Sequence, residues 1–392
     1  MKRKSTTPLK AARIRKSWTQ AFVSSQIGVS PYTYARWESG SQTPRNSSIH
    51  ALCSVFDMSP EELGFQHVFT QHMASSPADD QLDEQTGDAE MDDDLANLNE
   101  ALALWTLGVN SCWHLYTTGN QAELERLLPT YLTNLSGPTL TPGPKQKTAA
   151  SLTAQVYQLI ALLELQHEDF VAAQATGTQA LVYSQLAKDW NVYVASQIRL
   201  ATIFGARKRL GSTLSAYNDA LYYINAYPSL IEPTLQSWVF AGLGEIQAIM
   251  GREKEALRFL QLAIAVFPEK PKDDMFAAYA HCDRSLIYLY EGLIFLRLGR
   301  PTSAWEAFAQ VDSLKPAPSE RMRAEFLRHK TYTALALRNM IQSCIYLEAA
   351  TNSARAIGSE LALSEVFALY EQMLAVWGQE SRVRLLAKLF QK

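Results

Sequence analysis

The sequence predicts an all-α protein in two folded parts: a five-helix N-terminal domain over residues 1–66 and an α-solenoid of helix–turn–helix repeats over residues 97–392, joined by an acidic flexible linker over residues 67–96. Three observations predict this division. A chain of 392 residues exceeds one ordinary core, and a hydrophobic content of 47% is enough to fold most of it. From Leu98 almost to Leu389 the apolar residues recur at steps of three and four, the period of a helix, without strand-like alternation. Breaks rich in Gly, Asn and Pro interrupt that pattern about every 40–50 residues, a spacing typical of stacked helical pairs.

In the N-terminal part, a first helix carries Leu9, Ala12 and Arg13. Thr19 stands at the N-cap of a second helix, with Gln20 in its first turn and Val23 and Ile27 four apart on one face. Gly28 suits the left-handed position that ends a helix, and Val29 packs into the turn. Ser30 caps a third helix and Pro31 takes its first position, where a missing N–H leaves no bond unmade. Tyr34 and Trp37 face inward, which places Trp37 in the core; Trp18 has no such assignment. Gly40 ends this helix and Pro44 stiffens the loop. Ser47 or Ser48 caps a fourth helix carrying Ile49, Leu52, Val55 and Phe56, and Pro60 and Leu63 close the bundle.

The run Arg13, Thr19-Gln20, Val23, Gly28-Val29-Ser30, Trp37-Glu38-Ser39-Gly40 and Pro44 resembles the Cro/repressor-type (XRE-family) helix-turn-helix domains from Leu9 to Leu63. The resemblance implies a lambda-repressor-like fold, binding to double-stranded DNA and a role in transcription regulation. It also implies a pairing of Arg13 with Glu38. The third helix would enter a major groove ~12 Å wide with Pro31, Tyr32, Thr33 and Arg36 outward. Arg36 could donate twice to guanine or hold a phosphate, Thr33 could meet a thymine methyl or a phosphate, and Tyr32 could stack on sugar or donate through its hydroxyl. Thr19, Gln20, Ser30 and Arg45 complete the implied contact set, with Gln20 matching the family's phosphate-contacting Gln. Ser24 stands where the family usually has Ala, and Pro31-Tyr32 is an uncommon opening for the third helix; both bear on which sequence is read. A homodimer reading half-sites about 34 Å apart is expected.

Charge is unevenly spread. The net charge is −3, yet residues 1–65 hold nine Lys and Arg against four acids, and residues 66–100 hold ten acids and no Lys or Arg. A basic head points to a polyanion, and the acidic run with Ser75-Ser76-Pro77 reads as a solvated linker.

Beyond it, Leu102, Trp105, Val109, Trp113 and Tyr116 form one helical stripe, as do Val156, Leu159, Ile160 and Leu163, and Leu286, Leu289, Leu293 and Leu296. Breaks fall at Thr118-Gly119-Asn120, His167-Glu168-Asp169, Arg209-Leu210-Gly211, Gly251-Arg252-Glu253, Gly299-Arg300-Pro301 and Arg338-Asn339. The stretches Ala248 to Ala263 and Gly292 to Phe308 resemble tetratricopeptide-like (TPR) repeats: Gly251 or Gly299 ends a first helix, and Ala256 or Ala304 follows five positions later. The order of domains resembles peptide-responsive regulators, which implies a groove for a peptide or small ligand. Asn110, Gln197, Arg199, Gln236, Arg284 and Glu291 are the candidate lining residues. The competing expectation is a protein-interaction scaffold.

Catalysis is not expected. His167-Glu168 begins like a zinc-protease motif, but Val171 stands at the second ligand position, and Gly205 to Gly211 lacks the Gly-Lys-Ser/Thr ending of a phosphate loop. Cys53, Cys112, Cys282 and Cys344 show no paired spacing, so neither a metal nor a cofactor is signalled. No run approaches the ~20 apolar residues of a membrane span, and a cytoplasmic protein is the expectation.

Overall fold

A computed structural model describes residues 7–16, 18–27, 29, 31–39, 41, 44, 46–56, 58, 62–65, 86–269, 278–280 and 283–391. The chain divides into two compact units, residues 1–87 and 88–392. Every regular element among the described residues is a helix, and none of these helices is long and apolar enough to cross a membrane.

The first unit holds α1 (Pro8–Arg15), α2 (Gln20–Gln26), α3 (Pro31–Glu38) and α4 (Asn46–Phe56). Pro8 opens α1 at the position that needs no N–H donor. The Thr19 hydroxyl accepts the Phe22 N–H at 3.1 Å and caps α2. Leu9, Ala12, Val23, Tyr34, Trp37, Leu52, Phe56 and Leu63 form one core, with Val29 and Trp18 packed at its edge. Trp18 lies 5.3 Å from Phe22 and 5.4 Å from Phe56, with the Lys16 ammonium 5.0 Å from its ring. Two expectations are corrected. Helix α4 opens at Asn46, so Ser47 and Ser48 lie within its first turn and do not cap it. No fifth helix is seen among the described residues of this unit: Glu62 to Gly64 form a turn, with Gly64 left-handed at φ +85° against Pro8, and residues 59–61 and 66–85 lie outside the described residues. Gly28, Gly40 and Pro60 lie outside the described residues.

Helix α5 (Thr86–Thr118) leads into the second unit and corrects the linker over residues 86–96, which are helical; residues 67–85 of the expected linker lie outside the described residues. The acids from Asp88 to Asp94 thus fall within a helix. There follow α6 (Gln121–Leu140), α7 (Gln146–Gln166), α8 (Phe170–Ala187), α9 (Trp190–Ala206), α10 (Leu210–Ala226), α11 (Pro233–Ile249) and α12 (Glu253–Val266). After a short turn of 3-10 helix at Ala278–Ala280 come α13 (Arg284–Arg297), α14 (Pro301–Ala309), α15 (Glu320–Ala336), α16 (Met340–Ala356), α17 (Glu360–Trp377) and α18 (Ser381–Leu385). Successive helices pair off and the pairs stack, giving a helical-repeat region.

One device turns the chain between paired helices. A left-handed residue ends the first helix: Gly119, Glu168, Lys208, Gly251, Gly299 and Arg338, with φ from +56° to +82°. The N–H of the next residue reaches back to a carbonyl of the helix, as in Asn120 to Leu115 at 2.9 Å, Arg209 to Phe204 at 2.9 Å and Arg300 to Phe295 at 2.8 Å. This bond satisfies a carbonyl that the helix end would leave open. Five of the six breaks expected from the sequence coincide with these turns; the sixth is displaced, with its turn at Lys208 and with Leu210 and Gly211 already inside α10.

Paired helices approach closely where one side chain is missing. A Cβ on Gly292 would stand 2.2 Å from the Phe308 ring, and one on Gly242 2.4 Å from the Tyr217 hydroxyl oxygen. Ala256 and Ala304, the small residues of the repeat-like pattern, are fully buried.

Candidate nucleic-acid interface and the interior of the repeat region

The N-terminal site is built around one buried carboxylate. Glu38, the last residue of α3, is 3% exposed. Arg13 of α1 grips both of its oxygens, Nε to Oε1 at 2.5 Å and Nη2 to Oε2 at 3.1 Å. The remaining Arg13 arm donates to the Trp18 carbonyl at 2.8 Å. The Gln20 amide donates to Glu38 Oε2 at 2.7 Å, which brings α2 into the same network. Burial alone raises the Glu38 pKa, but the hydrogen bonds from Arg13 and Gln20 more than offset this and hold the carboxyl below its ordinary range. The bond to Glu38 raises Arg13 in turn. Burial, then the negative charge of Glu38, raises the neighbouring Tyr34 phenol.

This network fixes the angle between α1, α2 and α3 and leaves one side of α3 outward. Arg36 is exposed on that helix and Thr33 is half-buried. The Arg36 carbonyl accepts from the Ser39 hydroxyl at 3.0 Å and from the Ser41 N–H at 3.0 Å, which closes the end of the helix. Pro31 and Tyr32 open α3, and Thr19 is exposed at the cap of α2. Ser30 and Arg45 lie outside the described residues. Gln20, expected from the resemblance to hold a phosphate, spends its amide on Glu38 in this structure.

Residues 9–63 match the helix-turn-helix family model. That match covers α1 to α4 and supports a DNA-binding regulator of the XRE type. It does not extend into the repeat region. A comparison with curated proteins finds no match. Within the helix-turn-helix domain, the Arg13–Glu38 pair is internal and Arg36 is exposed on α3.

The six residues expected to line a groove in the repeat region do not share one surface. Gln197 and Arg199 are two positions apart on α9, roughly 200° around a helix. Gln197 donates to the Tyr193 hydroxyl at 3.0 Å, on the side where Tyr193 meets Tyr223 of α10, ring centres 4.5 Å apart. Arg199 points elsewhere. Its guanidinium lies 5.3 Å from the Trp113 ring and 4.6 Å from the Trp238 ring, and Nη2 donates to the Tyr279 carbonyl at 3.0 Å. Helices α5, α9 and α11 therefore converge on Arg199. Asn110 lies on α5 three positions before Trp113, is 6% exposed and has no partner for Nδ2. Gln236 holds the loop before α11, donating to the Pro228 and Ile231 carbonyls at 3.0 and 2.8 Å. Arg284 is exposed at the start of α13, and Glu291 is half-buried with its pKa raised by burial.

Sequence reading missed a second polar cluster on α11, α13, α15 and α17. The Trp238 indole donates to the Tyr290 hydroxyl at 3.3 Å, and burial pushes that phenol up to about 12. Arg297 lies 3.4 Å from Glu245, and Arg328 pairs with both Glu325 and Glu365. These residues recur at helical spacing among apolar ones, a pattern that reads as solvated faces until the helices are stacked.

Proposed function

We propose that this protein is a cytoplasmic, non-enzymatic transcription regulator that reads a DNA sequence through α3, as a homodimer on two half-sites, with a TPR-like repeat region that senses a ligand or carries the dimer contact. The observation that carries the reading is the buried Arg13–Glu38–Gln20 network, which orients α3 and leaves Arg36 outward on a domain matched to helix-turn-helix proteins. An Arg on the outward face of such a helix suits a guanine edge or a phosphate. The basic balance of residues 1–65 supports attraction to the duplex.

In the repeat region, the convergence of Asn110, Trp113, Arg199 and Trp238 supports a ligand-sensing role. A second reading, a scaffold that anchors a partner protein to DNA, is favoured by Tyr279, which is buried and whose carbonyl accepts from Arg199. The test is selection of bound duplexes from a random library by the full-length protein and by Arg36→Ala. An inverted repeat that the substitution weakens or relaxes at one base, by about 1–3 kcal/mol, supports sequence reading by α3. Recovery of no common sequence by the wild type overturns it.

A further inference from the structure

In an open stack of helical pairs each pair touches only its neighbours. Here the last pairs return to the first. Helix α17 packs against α7. Arg321, in the first turn of α15, donates from Nε to the Tyr116 carbonyl at 2.5 Å, and its guanidinium lies 3.9 Å from the Tyr116 ring centre. Ser359, the N-cap of α17, is fully buried and donates to Gln166 Oε1 at 2.6 Å. A Cβ on Gly119 would stand 2.8 Å from Ile357, so the chain passes Ile357 with no room to spare.

His167, at the end of α7, sits astride this seam. Its Nε2 is 2.7 Å from Glu125 Oε1 of α6, and Gln121 of the same helix lies beside it with Nε2 at 2.8 Å. Its Nδ1 is 3.5 Å from Glu360 Oε1 in the first turn of α17. Glu125 from one side and Glu360 from the other are the charged groups that face the ring. A neutral imidazole can donate from one nitrogen only, whereas an imidazolium donates from both. The proton therefore decides whether the ring binds one carboxylate or joins two.

We propose that this seam is a latch: the repeat region closes on itself through Arg321–Tyr116, Ser359–Gln166 and the His167 clamp, and a proton on His167 shifts it towards the closed state. The hydrogen bond to Glu125 raises the His167 pKa above its ordinary value in the closed form, with Glu360 adding to it. A raised folded-state pKa means that the clamp is fully present below the open-state value and is lost as pH rises through the closed-state value. The latch tightens as pH falls and loosens as pH rises. Whatever the repeat region binds, access to its interior then depends on the seam.

The test is amide hydrogen exchange of the full-length protein at about pH 6 and about pH 8.5, corrected for the intrinsic pH dependence of exchange and read at the peptides covering residues 116–121 and 357–363. The wild type should lose protection at the seam at the higher pH relative to the lower. His167→Lys, permanently charged, should abolish the difference. Arg321→Ala should lower seam protection at both values yet keep the pH response, and circular dichroism would establish that each variant is folded. Equal protection of the wild type at both pH values overturns the proposal, as does an undiminished pH response in His167→Lys.

Discussion

Arg13 holds Glu38 by both carboxylate oxygens, across 25 positions of sequence, with the two side chains only 13% and 2% exposed. A pair so far out of water draws little of its importance from net attraction, because desolvation offsets much of it. Its importance shows when one partner is removed. Arg13→Ala would leave a buried carboxylate with only Gln20, and the helix-turn-helix domain is expected to lose about 3–5 kcal/mol. Glu38→Gln should cost less, since the amide still accepts from Arg13. Hydrogen exchange over residues 9–63 would separate this loss from the stability of the repeat region. The pH dependence has a definite sign. The folded-state pKa of Glu38 is depressed, so its contribution is present above the ordinary carboxylate range and is lost as pH falls through the lower folded value.

The glycines of the repeat region divide by what surrounds them. Gly292→Ala forces a methyl against the Phe308 ring at 2.2 Å and should destabilise by about 1–3 kcal/mol through overpacking. Gly205, in the last turn of α9, has nothing within 4 Å of an added Cβ. Gly205→Ala should therefore stabilise by about 0.5–1 kcal/mol through helix propensity alone. Thermal unfolding of the two variants beside the wild type checks both signs at once.

His329 supplies a different acid response from His167. It is buried on α15, stacked 6.1 Å from Phe308, and burial, then the charge of Arg328, depresses its pKa to about 4. A depressed histidine stabilises the fold above its unfolded pKa, about 6.5, and that contribution is lost as pH falls towards 4. The repeat region should lose stability over this window. His329→Gln should flatten the midpoint of urea unfolding between about pH 6.5 and pH 4.5, whatever it does to absolute stability. An unchanged slope would remove His329 as its cause.

Much of the architecture is legible in the residues themselves. Gly119, Gly251 and Gly299 announce their turns because glycine adopts the left-handed backbone without a Cβ penalty. Lys188 takes the same backbone at φ +54° between α8 and α9 and announces nothing, since lysine carries no such signal. The acids after Thr86 suggest an extended, self-repelling segment, yet residues 86–96 are helical and run without a break into the apolar stretch that follows. The Arg13–Glu38 pair followed from a resemblance, whereas the use of Gln20 in the same network did not. The groove residues failed as a set because helical phase separates Gln197 from Arg199. The meeting of Trp113 with Trp238 over Arg199 depends on how whole pairs stack. The seam was invisible for the same reason: Gln166 and Ser359 are 193 positions apart, and no local pattern encodes their contact.

Repeat arrays ordinarily tolerate changes in length, since a pair added or deleted alters only how far the stack extends. The bonds from Arg321 to Tyr116 and from Ser359 to Gln166 remove that freedom. An inserted pair would carry Ser359 past its partner, and a deleted one would leave it short. Gene duplication, the usual route by which such arrays lengthen, would have to break the seam before it could add anything, so the number of pairs in this protein is set by geometry.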